Sequence, residues 1–419
     1  MTVLDNIGYR LNREVAADQS VILRYAPALY DGWLDSETLA SCSCREGLKL
    51  IELASVNGVR IHLLDESSCM TTGTYKSLDG CVTTAASLEA GARQLVFSSG
   101  ANTGSALTAY GNRVGFETFF FCPTSTLHKV DARLLAPAKA HLVAVEGPDA
   151  RVKEAASRFA EAVGAPLVPT VEWRLAAAGS RGMFIAELAI EKALRFDWVS
   201  QAVCAAFGPI GLYRVLLELD RQGEFERRSV PRFLGIQQAG LAPLVEAWSA
   251  GSSQLDKSQS RTWSEPPIEP SLYNASPTIT YPRLHELLGK IDGDMRAVTR
   301  AEFDHENSRF LELLANAGVN LTETPIDGLS EPIEKAGLLC GVGTLRAIDE
   351  GRIRPGESVL CSLSGGVLPS VPQPGEPDCR LAAGIPVEEG VEFLVRHFST
   401  SGEAHDPEST RGEESSHAP

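Results

Sequence analysis

Residues 69–80 read Cys69-Met-Thr-Thr-Gly-Thr-Tyr-Lys-Ser-Leu-Asp-Gly80, and residues 98–104 read Ser98-Ser-Gly-Ala-Asn-Thr-Gly104. The first stretch sets Lys76 after a short Thr/Gly segment, a context that by itself suits a solvated residue at a helix start. The second stretch adds what a cofactor site needs. Gly100, Gly104 and the small hydroxyl residues between them allow close backbone approach to a planar ligand, and Asn102 offers an amide to a ligand oxygen. Together the two stretches point to a lysine that forms a Schiff base.

Strand and helix patterns alternate outward from this pair. Gln94-Leu-Val-Phe97 predicts a strand, a helix opens near Gly104, and Glu117-Thr-Phe-Phe-Phe121 predicts a second strand closed by Pro123. His141-Leu-Val-Ala-Val145 predicts a third. A helix follows from about Asp149, with Val152, Ala156, Phe159 and Val163 on one core-facing stripe. Val199 to Ala205 reads as another buried strand, Leu212 to Leu219 as an amphipathic helix, and Arg232-Phe-Leu-Gly-Ile-Gln237 as a further strand. The polar, proline-bearing run from Gly251 to Pro270 predicts a long surface loop. Thr299 to Asn316 predicts a helix capped by Thr299, and Ser358-Val-Leu-Cys-Ser-Leu363 a late strand ending at Ser364-Gly-Gly366. Residues 399–419, rich in Glu, Ser and His, read as a disordered tail.

The two opening motifs resemble those of the fold-type II pyridoxal-phosphate (PLP) enzymes, in which a T/S-x-K segment supplies the Schiff-base lysine and an S-S/G-x-N-T-G loop lies beside the ring. The resemblance continues in order through Gln201-Ala-Val203, Ile291-Asp-Gly-Asp-Met-Arg-Ala-Val-Thr299 and Ser362-Leu-Ser-Gly-Gly366. It spans most of the chain and is narrowest with the threonine-synthase-like branch, in particular the cysteate synthases. It implies an α/β fold, tryptophan synthase β-like, with two doubly wound α/β domains and the site between them. The larger PLP-binding domain would comprise residues 1–79 and 191–398, and residues 80–190 would form a smaller domain carrying the Asn102 loop.

The resemblance also implies roles. Lys76 forms the internal aldimine and, once released, acts as general base on the substrate α-proton. Asn102 bonds the phenolic oxygen of the ring, while Ser99, Gly100, Ala101, Asn102 and Thr103 receive the substrate carboxylate. Ser364 stands against the pyridine nitrogen, and its neutral hydroxyl favours elimination and replacement over transamination. One segment departs from the family. Relatives carry a G-S-G-T-G-type phosphate turn, whereas this chain has Cys204-Ala-Ala-Phe-Gly208. Ala205, Ala206, Phe207 and Gly208 are thus the phosphate-binding candidates, and the bulky Phe207 requires an altered loop conformation or altered contacts.

The implied activity is PLP-dependent β-replacement on an O-phosphorylated amino acid, cysteate synthase-like, turning O-phosphoserine and sulfite into cysteate and phosphate through an aminoacrylate. Lys129, Arg113, Arg174 and Arg181 are the candidates for holding the two anions. The alternatives are a threonine synthase-like or other elimination-replacement enzyme with a different nucleophile, and a non-catalytic binding protein on the same scaffold. The resemblance implies a homodimer.

Composition agrees with an enzyme acting on a small amino acid. A chain of 419 residues with 43% hydrophobic content is long enough to bury one large core or two linked ones. A formal charge of −16 disfavours nucleic acid and anionic membrane surfaces as partners. No apolar run reaches the roughly 18 to 20 residues that span a bilayer, and Met1-Thr-Val-Leu-Asp-Asn lacks the pattern of a signal peptide, so a cytoplasmic location is expected. The nine scattered cysteines read as reduced thiols, and no metal site is expected, because Cys42-Ser-Cys44 has no matching second pair.

Overall fold

The computed structural model describes residues 7–256, 262–326 and 329–402. Among the described residues are twelve strands: β1 (Lys49–Val56), β2 (Val59–Asp65), β3 (Gln94–Ser98), β4 (Glu117–Pro123), β5 (Ala140–Val145), β6 (Trp198–Ala202), β7 (Arg232–Gln238), β8 (Asp294–Val298), β9 (Glu323–Ile326), β10 (Leu329–Pro332), β11 (Ser358–Leu363) and β12 (Cys379–Leu381). They form a six-stranded sheet in the order β1-β2-β11-β6-β7-β8, a four-stranded sheet in the order β12-β5-β4-β3, and the antiparallel pair β9/β10. Every pairing in the two large sheets is parallel except β1 with β2. Helices cover the faces of these sheets, as parallel strands with no solvated face require. The fold is α/β, and the strand sequences show why: every residue of β6 and of β11 is buried.

Both sheets aim their carboxyl ends at one place. β3 ends at Ser98, β6 at Ala202 and β11 at Leu363, and each is followed by a segment that lines the same cavity. That is where ligands collect in open parallel sheets.

Close helix packing fixes the geometry around this point. Helix Lys76–Glu89 crosses helix Asn102–Arg113 at Gly80, where a Cβ would fall 2.7 Å from the Tyr110 ring and 3.0 Å from the Ala106 carbonyl oxygen. Helix Phe207–Arg221 lies against helix Val171–Lys192 at Gly211, where a Cβ would fall 2.4 Å from the Leu175 carbonyl oxygen. Helix Arg300–Asn316 starts as the sequence indicates. Thr299 accepts from the Glu302 N–H, and the Glu302 side chain reaches back to the Thr299 N–H at 2.9 Å.

Several sequence expectations shift. The strand foreseen over Val199 to Ala205 occupies Trp198–Ala202, because residues 204 and 205 bend away to open the next helix. That helix begins at Phe207 rather than Leu212, and the Asn102 helix begins two residues before Gly104. Segment 379–398, assigned from the sequence to the larger unit, instead adds β12 beside β5 and packs Val387, Val391 and Leu394 against Val152 and Phe159. Helix Val171–Lys192, assigned almost wholly to the smaller unit, shares the core of Leu212, Tyr213 and Leu360. The proposed tail from 399 starts within helix Val387–Gly402, and its remainder, 403–419, lies outside the described residues. No helix among the described residues is long and apolar enough to cross a membrane.

Replacing Gly211 by Ala forces the two helices apart at Leu175, so we expect about 1 to 3 kcal/mol of destabilisation, read as a lower urea midpoint. The N-terminal turn of helix Phe207–Arg221 should shift with it.

Candidate active site

Lys76 is held by the end of the six-stranded sheet. Thr74 forms an isolated antiparallel bridge with Gly365, and the Tyr75 N–H donates to the Ser364 carbonyl at 3.1 Å. Ser67 tightens the same junction: its Oγ donates to the Gly73 carbonyl at 2.6 Å and accepts from the Val367 N–H at 2.7 Å. Lys76 and Ser364 are therefore placed by one clamp. The Lys76 Nζ donates to Tyr75 Oη at 2.7 Å and to Asp79 Oδ2 at 3.2 Å, one helical turn on. Arg174 Nε approaches the same Asp79 oxygen at 3.6 Å.

Asn102 comes from the four-stranded sheet. After β3 the Ser99 N–H donates to the Phe121 carbonyl at 3.0 Å, and Ala101 turns the chain with φ +109° to start the helix at Asn102. A residue with a Cβ adopts that φ only under strain. Asn102 Nδ2 donates to Glu334 Oε2 at 3.1 Å, and Lys129 Nζ donates to the same oxygen at 3.0 Å. Lys129 also pairs with Glu269, and all three side chains are nearly solvent-free.

One ammonium thus faces two buried carboxylates. Burial and the Glu269 charge push the Glu334 carboxyl above its usual value. Burial opposes ionisation of Glu269 as well, but Lys129 and the Lys335 and Ser271 donors hold it below the usual carboxylate range. Glu334 is consequently the member that retains a proton most readily.

The third wall is the altered loop. Val203 still bonds the β7 strand at Ile236, after which Ala206 takes a left-handed turn at φ +58° and helix Phe207–Arg221 begins. The first N–H groups of that helix have no intrahelical partners and carry the positive end of its dipole. A Cβ at Gly208 would fall 2.8 Å from Arg181 Nη1 and 2.9 Å from Gln201 Nε2, so the backbone rests directly on those side chains. The Phe207 ring carries the Arg174 guanidinium, whose carbon lies 4.2 Å from the ring centroid.

A cavity of ≈ 180 Å³ brings together Lys76, Ser99, Gly100, Asn102, Thr103, Ala205, Ala206, Phe207, Gly208 and Ser364. Ala101 does not line it; it is fully buried and acts through its backbone turn. Among the cation candidates, Arg174 lines this cavity. Lys129 lines a neighbouring cavity of ≈ 260 Å³, which shares Thr74, Asn102 and Glu334 with the first. Arg113 sits exposed at the far end of its helix, bonded to the Ser41 carbonyl, and Arg181 is wholly buried against Glu66, Gln201 and Ser362. Sequence reasoning missed Asp79, Glu269 and Glu334. Asp79 alone had a local signal, its i+3 spacing from Lys76.

These groups fit a planar phosphorylated aldehyde. An amine, an amide and a hydroxyl face one cavity, and a helix start packed too closely for any Cβ at Gly208 borders it.

The buried triad generates a test. Lys129→Met leaves two carboxylates without their cation and should cost about 3 to 5 kcal/mol. Such carboxylates resist ionisation in the folded state, so the loss should be larger at pH 8 than at pH 5. Glu334→Gln keeps an acceptor for Asn102 and Lys129 and should stay within about 1 kcal/mol of wild type. Urea melts at the two pH values check both.

Comparison with known proteins places this geometry. Cysteate synthase of Methanosphaerula palustris is 24% identical over 330 residues, covering 76% of this chain and 74% of that protein. The Methanosarcina barkeri enzyme is 23% identical over 311 residues, covering 72% and 70%. Cysteate synthase of Methanospirillum hungatei matches at 26% over 175 residues, only 41% of this chain and 37% of that protein. Among solved structures, the processed form of threonine deaminase isoform 2 from Solanum lycopersicum superposes with a TM-score of 0.57 at 15% identity, covering 79% of this chain and 86% of that one. Maize serine racemase gives 0.56 at 13% identity, covering 87% and 99%. At such identities these structures establish the fold alone. The model of the family described as pyridoxal-phosphate dependent enzyme matches residues 47–303, more than half of the chain. The chain, with its lysine, amide and hydroxyl around one cavity, belongs to the pyridoxal-phosphate-dependent enzymes, and its cofactor is pyridoxal 5′-phosphate.

Proposed function

We propose that this enzyme carries out β-replacement on an O-phosphorylated amino acid, with O-phosphoserine and sulfite giving cysteate and phosphate as the first reaction to test. The observation that carries the proposal is the meeting of Lys76, Asn102 and Ser364 around one cavity. The cysteate synthases supply the specific reaction.

When bound, pyridoxal 5′-phosphate supplies an electron sink for charge developing at the substrate α-carbon. The protein's part follows from its own residues. The Lys76 amine takes the proton from the substrate Cα, with Tyr75 Oη at 2.7 Å and Asp79 Oδ2 at 3.2 Å to orient it and hold its charge. Ser99, Gly100 and Thr103 offer backbone and hydroxyl donors to the substrate carboxylate at the mouth of the Asn102 helix. Asn102, oriented by Glu334, would be the residue to hold the cofactor ring through its amide. Ser364 presents an uncharged hydroxyl where a carboxylate would impose a proton on the ring nitrogen.

A second proposal keeps the leaving-group step and changes the nucleophile. It is favoured by Lys129, whose ammonium is already committed to Glu269 and Glu334 and is therefore not free to hold sulfite. The proposal includes a homodimeric assembly, which sedimentation tests.

Wild-type protein reconstituted with the cofactor should absorb in the visible, and Lys76→Ala should lose that lysine-dependent band. Incubation with O-phosphoserine should release phosphate. With sulfite present, the organic product should be cysteate rather than pyruvate. Phosphate release with pyruvate as the product in both conditions selects the second proposal. No phosphate release from O-phosphoserine or O-phosphohomoserine defeats both.

A further inference from the structure

The loop Cys204-Ala-Ala-Phe-Gly208 lacks the run of glycines with which relatives surround the cofactor phosphate, and Phe207 occupies the first turn of its helix. A dianion placed at that helix start meets the unpaired N–H groups of the first turn, and a cationic side chain beside them would add charge that the helix dipole alone does not supply. Four cations lie near enough to consider. Lys76 pairs with Asp79, Lys153 pairs with Asp149 at 2.5 Å, and Arg181 is fully buried and committed to Glu66, Gln201 and Ser362. Arg174 differs. It too is ion-paired with Asp79, but at 3.6 Å, beyond hydrogen-bond distance, and among the described residues its buried Nε has no hydrogen-bond partner. Its guanidinium lies over the Phe207 ring at 4.2 Å and lines the cavity together with Cys204, Ala205, Ala206 and Gly208.

We propose that Arg174, held in place by Phe207, is a phosphate ligand of the cofactor and substitutes for the missing glycine-rich turn. The physical basis is twofold. A guanidinium offers several donors in one plane and matches a phosphate bidentately. Stacking on an aromatic face fixes that plane, so less side-chain freedom is lost when the anion arrives. Phe207 is then the residue that positions the new ligand, and Asp79 bridges it to Lys76. The proposal concerns cofactor binding alone and does not depend on which nucleophile the enzyme uses.

The test uses apoprotein titrated with PLP and separately with pyridoxal, followed by visible absorbance and protein fluorescence. Arg174→Met should weaken PLP on the order of tenfold to a hundredfold and leave pyridoxal affinity unchanged. Arg174→Lys should recover part of the loss, since it restores charge without the planar fork. Inorganic phosphate should compete with PLP in wild type and compete less in Arg174→Met. Circular dichroism and melting temperature establish that the variants fold. If Arg174→Met is unstable, Arg174→Lys and phosphate competition in wild type carry the test. An unchanged PLP-to-pyridoxal affinity ratio overturns the proposal, and so does wild type with no preference for PLP over pyridoxal. A raised KM for O-phosphoserine with that ratio intact also overturns it, and assigns Arg174 to the substrate phosphate instead. Absent turnover with normal PLP binding would instead count against the proposed reaction and leave this inference standing.

Discussion

Arg181 and Glu66 form an ion pair without any solvent access, and four elements converge on it. Glu66 directly follows β2, Arg181 lies in helix Val171–Lys192, and the guanidinium also donates to Gln201 on β6 at 3.0 Å and Ser362 on β11 at 3.2 Å. Burial pushes the Glu66 carboxyl up, and Arg181 pulls it back. Such a pair gives modest net stability but leaves an uncompensated charge if either partner is lost. The Tyr75 ring lies 5.3 Å from its guanidinium, and the Gly208 backbone rests directly on it. The lysine segment and the helix start opposite it are therefore spaced by one buried charge pair.

Much of the site was legible because its parts are local. A lysine after small residues, a loop of Gly and Ser before a helix, and a hydroxyl after a buried strand each occupy a few consecutive positions. Resemblance could then order them along the chain. Phe207 was legible as a departure, since its bulk conflicts with a close phosphate turn, and its ring in fact carries Arg174.

What the sequence concealed is long-range. Lys129 read as a free cation, yet its partners Glu269 and Glu334 lie 140 and 205 positions away. No spacing rule links a lysine to carboxylates at such separations, and burial inverts the expectation that a lysine meets solvent. Arg113 and Arg181 were indistinguishable from Arg174 as letters. One turned out to cap a helix at the surface and the other to anchor the core. The membership of β12 was hidden for a different reason: three residues are too few to show a period, and only the edge left open by β5 decides where they go.

The clamp at Ser67 divides the site mechanically. It ties Gly73 to Val367, so Lys76 and Ser364 move as one rigid piece, whereas Asn102 belongs to the other sheet. Across the gap stand the Asn102–Glu334 hydrogen bond and the two contacts of Lys129, which follows β4. These bonds join the two sheets together with the close packing of the Lys76 and Asn102 helices at Gly80. A single carboxyl, Glu334, takes part in two of the three, so one side chain links the Lys76 half of the site to the Asn102 half.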